Sequence, residues 1–389
     1  MSAADAMPAG PTPTSILIYA DTMRSPEMRA VIGHAVADPF LYVEHEGERH
    51  VVVRSLEQER MQRIPGLHTH PDEEFGLDEL RERGTPAATI PRAIAAAACA
   101  ALGVTRAAVP PAFPLGMADA LRAAGIELVV DDEGFAMRRR VKTPEQIEGI
   151  RRAQHAAEAA VRDVAARLRA AEISDGAVLF DGSPLTCEQL QRLALDAFAR
   201  HGASADELIV AHGWQTCVGH ERGSGAILAG EPITVDLWPR DDATGCYTDI
   251  TRTFVVGEPN DELRSYHACA RESLARSIKA IAPGVKASEV HRIACEPFEA
   301  AGYPTQLTKE PGTVLLDGFF HSLGHGVGLE VHEPPHLGQG EDVLVEGDVI
   351  AVEPGCYRQG FGGVRLEDLV LVTADGCEVL TDYPYELAP

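Results

Sequence analysis

The chain has 389 residues, 45% of them hydrophobic, and sets 34 Lys and Arg against 59 Asp and Glu for a formal net charge of −25. That length suits two or three domains, and so acidic a surface repels phosphate backbones and anionic lipid headgroups, which excludes nucleic acid and membrane surfaces as partners. No apolar run reaches the roughly 18–20 residues of a membrane helix; Ala93–Val104 is short and mostly alanine.

In chain order, residues 1–14 read as a flexible tail, because MSAADAMPAGPTPTS lacks the basic and apolar regions of a signal peptide. The eight cysteines stand singly, with no CxxC pair. That pattern fits reduced thiols and a cytoplasmic location. Residues 15–140 carry the pattern of a small α/β domain. Strands are expected at Ser15–Ala20, Phe40–Glu44 and His50–Arg54, the last two joined by a turn at His45-Glu46-Gly47-Glu48. Helical patterns follow at Leu77–Arg83, Arg92–Leu102 and Met117–Ala124. His68 and His70 fall in a polar stretch that reads as a solvated loop, and nothing in this half gathers convergent polar residues.

A boundary is expected near residues 138–143, leaving 141–389 as a second domain. Thr143, Pro144 and Gln146 then supply N-cap, N1 and N3 of a capping box. The helix they open has an apolar stripe of Ile147, Ile150, Ala157, Val161, Val164 and Leu168, and runs to about Ala171. A second box, Thr186 with Gln189, opens a helix that ends before Gly202. Strands are expected at Leu208–Ala211, Ile233–Leu237 and Tyr247–Val256. The order then recurs: helices at Asp261–Ile281 and Glu289–Ala301, a Gly-rich stretch, and strands at Val349–Glu353 and Val364–Val372. Two helix-helix-strand blocks in tandem predict an α/β (α+β) domain built from two pseudo-equivalent halves.

Four carboxylates are out of place in these strands. Asp236 alternates with Ile233, Val235 and Leu237, and Asp249 opens a β-branched run thirteen residues later, a gap that reads as a hairpin. Glu353 closes Val349-Ile-Ala-Val before Pro354-Gly355, and Glu367 interrupts Val364–Val372 on the face of Arg365. Each could sit at a strand end in water or pair with Arg252 or Arg365. All four converging would repel one another unless a cation held them. His321, His325 and His332 lie within twelve residues, with Gly324, Gly326 and Gly328 between them, a stretch unsuited to a helix and open to a ligand. Imidazole is the usual nitrogen ligand of divalent transition metals. His332-Glu-Pro-Pro-His336 matches the H-E-x-x-H pattern of zinc peptidases. That pattern needs a helix, which Pro334 and Pro335 forbid at about 3 kcal/mol each.

The series Asp236, Asp249 in TDITRTF, His325 in HSLGHGVGLEVHE, Glu353 in VEPG and Glu367 in VRLED resembles the pita-bread metallopeptidases, the family of prolidase, aminopeptidase P and methionine aminopeptidase. The resemblance covers about residues 143–389, and the first ~140 residues resemble the creatinase-type domain of prolidases and aminopeptidases P. The gap between the two aspartates is two residues longer than is common in the family, and the extra length falls in the turn. The resemblance implies two divalent ions per chain. Asp236 would bind one, Asp249 and Glu367 would bridge, and His325 with Glu353 would complete the other. An oxygen-rich set suits Mn²⁺, with Co²⁺ or Zn²⁺ as alternatives. A water shared by ions ~3.5–4 Å apart would become the nucleophile, a metal-bridging hydroxide.

Glu353 would shuttle the proton, and His220 and His332 match the family histidines beside the substrate. His321, His336 and Arg365 belong to the expected substrate pocket, with Arg365 chiefly orienting Glu367 and its neighbours. The implied substrate is a small peptide with proline in second position, and the implied assembly is a homodimer. Many prolidases carry an arginine shortly after the residue matched by His332. Here the stretch is Pro334-Pro335-His336-Leu337. A dipeptidase is slightly preferred over an aminopeptidase acting on longer peptides. An amidinohydrolase like creatinase lacks the full ligand set, and a catalytically silent peptide-binding protein would not need it.

Overall fold

The computed structural model describes residues 15–389 and divides into two compact units between Ala136 and Met137. The expected tail at 1–14 lies outside the described residues. Among those described, no helix is long and apolar enough to cross a membrane.

The first unit is built on a six-stranded sheet. Its strands are β1 (Ser15–Ala20), β2 (Phe40–His45), β3 (Glu48–Val53), β4 (Leu67–Pro71), β5 (Arg106–Val109) and β6 (Glu127–Val130), in the order β4-β3-β2-β1-β5-β6. Glu46 and Gly47, both at positive φ, make the β2–β3 turn, the conformation that a tight hairpin of this hand requires. Period-2 alternation gives the sheet two apolar faces. Leu17, Leu41, Val43 and Val52 pack toward Ile94, Ala98 and Leu121. Ile18, Tyr42, Val51 and Val53 pack toward Met28 and Met61. The helices are α1 (Pro26–Ile32), α2 (Ser55–Met61), α3 (Leu77–Glu82), α4 (Ile90–Ala101) and α5 (Leu115–Ala123). Two expectations fail here. His68 and His70 lie on β4, paired in parallel with β3, and not in a loop. Nor is the unit without a polar gathering, since both imidazoles stand beside His50. A five-residue edge strand with three polar positions carries too little hydrophobic alternation to be visible in sequence.

Helix α6 (Asp132–Arg140) contains the division between units, and the second unit follows it. Both capping boxes form: Thr143 and Gln146 open α7 (Pro144–Arg169), and Thr186 and Gln189 open α8 (Cys187–Arg200). The predicted stripe is buried from Ile150 to Leu168, with Ile147 half-buried at the helix start. Ala157, Val161, Val164 and Leu168 pack with Leu190, Ala194 and Phe198 of α8 against an antiparallel sheet of β7 (Ile209–His212), β8 (Pro232–Leu237) and β9 (Ile250–Val255), whereas Ile150 packs with Val349, Ala351 and Leu369. The second half repeats the scheme. Helices α9 (Asp261–Ala280) and α10 (Ala287–Ala300) cover a five-stranded antiparallel sheet. Its strands are β10 (Gly324–Gly326), β11 (Glu333–Leu337), β12 (Val349–Val352), β15 (Asp368–Thr373) and β16 (Gly376–Val379), ordered β11-β10-β12-β15-β16. A hairpin of β13 (Gly355–Arg358) and β14 (Gly362–Arg365) lies between β12 and β15 in the chain. Each fully buried Val, Leu or Phe in these two cores contributes about 1.5–3 kcal/mol.

The expected single strand at Val364–Val372 is two strands, interrupted at Leu366-Glu367. The backbone leaves the sheet there because the Glu367 N–H donates to the Thr251 carbonyl at 3.0 Å, and Leu366 donates to Pro354. Glu333–Leu337 is a strand, so His332 and His336 do not form the helical zinc-peptidase pair.

Candidate metal centre

The candidate centre lies where the two half-sheets meet. Strand alternation turns Ile233, Val235 and Leu237 into the α7–α8 core and leaves Asp236 on the opposite face. Asp236 stands across from Thr251 in the β8–β9 register, so Thr251 and Thr253 share its face, and Asp249 lies just ahead of β9, which starts at Ile250 and not at Tyr247 as expected. From the other half, His325 sits at the middle of β10, opposite Ala351. Its two flanking glycines make that placement possible. A Cβ on Gly324 would lie 1.9 Å from the Ala351 carbonyl oxygen, and one on Gly326 would lie 2.4 Å from that of Pro334. Glu353 is anchored just past β12 by its N–H to the Leu323 carbonyl, 2.8 Å.

Ligand atoms of Asp249, His325 and Glu367 all fall within 4.8 Å of one another, and all three residues are buried. His325 Nε2 lies 3.9 Å from Asp249 Oδ2 and 3.7 Å from Glu353 Oε1. Its Nδ1–H donates to the Gly326 carbonyl at 3.1 Å, which leaves Nε2 bare toward the carboxylates. Thr251 Oγ1 donates to Glu367 Oε2 at 2.7 Å and fixes that carboxylate. Arg365 is ion-paired with Asp236, donates from Nε to Thr251 Oγ1 at 3.2 Å, and lies 4.0 Å from Glu353. It therefore orients Glu367 through Thr251. The other arginine does not take the carboxylate pairing that was open to it. Arg252 binds Asp368, at 2.8 Å, and the Glu367 carbonyl, and touches none of the four carboxylates. Period 2 puts it on the face opposite Thr251.

The electrostatics are those of a site built around positive charge. Burial raises Asp249 well above the usual carboxylate range, and Glu367, Asp236 and Glu353 add like charge. Glu367 is raised in the same way, by burial first and then by Glu353 and Asp236. Burial pushes Glu353 up to about 8, with Arg365 opposing. Burial and like charge from His332 push His325 down to about 4, so it is a neutral ligand at pH 7. Asp249 Oδ1 is buried with no hydrogen-bond partner. In a native fold an orphaned buried carboxylate oxygen asks for an unseen partner. A divalent cation supplies one and reverses the logic that keeps these acids protonated.

The remaining predicted residues surround this cluster. The ring of His332 lies 4.3 Å from that of His325, centroid to centroid. Burial lowers the His332 pKa, and like charge on His220 and His336 adds to the effect. His220, His332 and His336 are exposed at the mouth. His321 Nε2 contacts the Tyr357 hydroxyl at 3.0 Å, and burial with the Arg365 charge pushes its pKa to about 3. Two residues escaped sequence reasoning. Thr251 links Glu367 to Arg365; its signal was the shared strand face two residues after Asp249. Tyr357 is buried, with its hydroxyl between His321 and Arg365 Nη1, the latter at 3.3 Å. No spacing rule points to it.

Residues 148–374 match metallopeptidase family M24. The Xaa-Pro dipeptidase of Pyrococcus furiosus is 40% identical over 185 residues, covering 47% of this chain and 49% of that protein. The chain thus spans about half the length of the curated relatives it matches. Among solved structures, prolidase from Pyrococcus furiosus superposes with a TM-score of 0.74 at 26% identity, covering 96% of this chain and 97% of the other. X-Pro aminopeptidase from Thermotoga maritima gives 0.76 at 24% identity, covering 96% of each chain, and shares the fold. With the match spanning both half-sheets and every carboxylate of the centre, the chain belongs to metallopeptidase family M24.

Proposed function

We propose that this protein is a metal-dependent exopeptidase that hydrolyses the Xaa-Pro bond of dipeptides or short peptides. The observation that carries the reading is the buried Asp249–His325–Glu367 cluster, with Asp236 and Glu353 beside it. Asp236 would hold one divalent ion, Asp249 and Glu367 would bridge, and His325 and Glu353 would hold the second. Four carboxylates and one imidazole favour Mn²⁺. Bound there, the ions supply Lewis-acid polarisation and acidify a shared water.

The protein groups do the rest. Glu353 takes a proton at its carboxylate oxygen and returns it to the leaving prolyl nitrogen. His332 and His220, at the mouth, would donate hydrogen bonds to the carbonyl oxygen as it gains charge. Arg365 holds Asp236 and Glu367 in register, and the Tyr357 hydroxyl holds His321. The Xaa-Pro bond lacks an N–H, so recognition must come from ring and carbonyl contacts. The Pro334-Pro335-His336-Leu337 stretch offers no fixed cation for a dipeptide carboxylate, which keeps aminopeptidase action on longer peptides as the second reading.

Incubating Mn²⁺-loaded protein with Ala-Pro, Ala-Pro-Ala and Ala-Ala separates these readings. Alanine release from Ala-Pro alone marks a dipeptidase, and release mainly from Ala-Pro-Ala an aminopeptidase. Equal turnover of Ala-Ala removes the proline requirement. The same reading carries homodimerisation, checked by light scattering, and a cytoplasmic location, with which the eight unpaired cysteines agree. Residues 15–140 would be the creatinase-type domain.

A further inference from the structure

The first unit holds an imidazole cluster that the peptidase reading does not use. His50 on β3 stands directly across from His68 on β4, and His70 lies two residues further along the same face. The His50 ring is 5.0 Å from that of His68 and 5.4 Å from that of His70, centroid to centroid. His50 Nδ1 and His70 Nε2 face each other at 3.2 Å. The Glu74 carboxylate lies 3.1 Å from His70 Nδ1 through either oxygen.

That carboxylate settles the tautomer. His70 must donate Nδ1–H to Glu74, so its Nε2 is a bare lone pair aimed at His50. A carboxylate behind a ligating imidazole is the usual support of a protein metal ligand. The 3.2 Å gap is also the span of two imidazole nitrogens on one ion. With metal–nitrogen bonds of about 2.0–2.1 Å it corresponds to an angle of about 100°, close to tetrahedral. His68 is exposed at the sheet edge with its ring stacked on that of His50, and a turn of that ring on binding would bring a nitrogen to the pair.

We propose that His50, His68 and His70 form a separate binding site for a borderline transition-metal ion of the Zn²⁺ class, with Glu74 orienting His70. The ion takes the place of the proton between His50 Nδ1 and His70 Nε2, His68 supplies a third nitrogen, and water fills the fourth position. An all-nitrogen set differs in kind from the oxygen-rich centre of the second unit and prefers Zn²⁺ or Cu²⁺ over Mn²⁺. Binding would clamp edge strand β4 to β3.

The test uses untagged full-length protein and Zn²⁺ alone, with bound metal counted by equilibrium dialysis and elemental analysis. His68→Ala/His70→Ala should bind one Zn²⁺ fewer per chain than wild type. The same difference should persist when Asp249→Asn is added to both, which keeps this site distinct from the peptidase centre. With Cu²⁺ in the Asp249→Asn background, electron paramagnetic resonance should show coupling to more than one imidazole nitrogen, lost in His70→Ala. The exposed His68→Ala alone leaves the sheet intact and should weaken Zn²⁺ at this site at least tenfold, and Glu74→Gln about tenfold or more. Equal Zn²⁺ counts with and without His68 and His70, or unchanged affinity in folded His68→Ala, would overturn the proposal.

Discussion

Glu353→Gln is expected to make the metal-free protein more stable, because it removes one carboxyl from the buried acid cluster. In the chelated chain, burial raises the Glu353 carboxyl from its ordinary 4.5 to about 8. The folded state therefore holds a proton that the unfolded chain releases. The resulting penalty is absent below about pH 4.5, grows as pH rises, and levels off near pH 8. At about 1.4 kcal/mol per pH unit, the interval from 4.5 to 7 sets a ceiling of about 3 kcal/mol. Asp249 and Glu367 share the protonation, so a gain of about 1–3 kcal/mol is expected for the glutamine variant at pH 7 in chelator. The gain should shrink to nothing at pH 4. Urea denaturation with EDTA at pH 4, 6 and 8 reads it directly. Saturating Mn²⁺ should invert the order, because only wild type keeps all the oxygens that bind the folded state. A glutamine variant less stable than wild type at pH 8 in EDTA would refute the electrostatic reasoning.

Asp249→Asn and Glu367→Gln should each abolish peptide turnover and lower metal occupancy in elemental analysis; full activity in either would contradict a bridging role. Arg252→Met leaves Asp368, fully buried, without its cation. The expected loss is about 3–5 kcal/mol in urea denaturation, and wild-type stability would show that the pair contributes nothing. Tyr357→Phe removes the hydroxyl between His321 and Arg365 while leaving every predicted ligand in place. Metal content should hold while kcat falls about tenfold, the effect of one hydrogen bond of about 1.4 kcal/mol; loss of metal instead would make Tyr357 part of the ligand scaffold.

Local chemistry made much of the fold legible. Thr143-Gln146 and Thr186-Gln189 each close a reciprocal pair of hydrogen bonds within four residues, so sequence alone carries everything those helix starts need. The cluster of acids beside His325 was legible for a related reason. A carboxylate inside an apolar strand conflicts with its surroundings, and four such conflicts beside a Gly-rich histidine loop have few joint solutions. The same reasoning missed β4, whose Leu67-His-Thr-His-Pro pattern is defined by its pairing with β3 more than by its own alternation.

The choice between Arg252 and Arg365 shows where that boundary lies. Alternation along Asp249-Ile-Thr-Arg-Thr puts Thr251 and Arg252 on opposite faces, and this much is readable from one strand. Which arginine then meets the carboxylates depends on how residues 365–368 arrive from the other half of the domain. The Glu367 N–H bonds to the Thr251 carbonyl, and the Arg365 N–H bonds to Thr253 Oγ1 at 3.1 Å. Those two bonds set the register that carries the Arg365 guanidinium to Asp236 and leaves Asp368 to Arg252. A slip of one residue would exchange the two faces, so the register between half-sheets, more than either arginine's neighbours in sequence, decides which cation shares the metal centre.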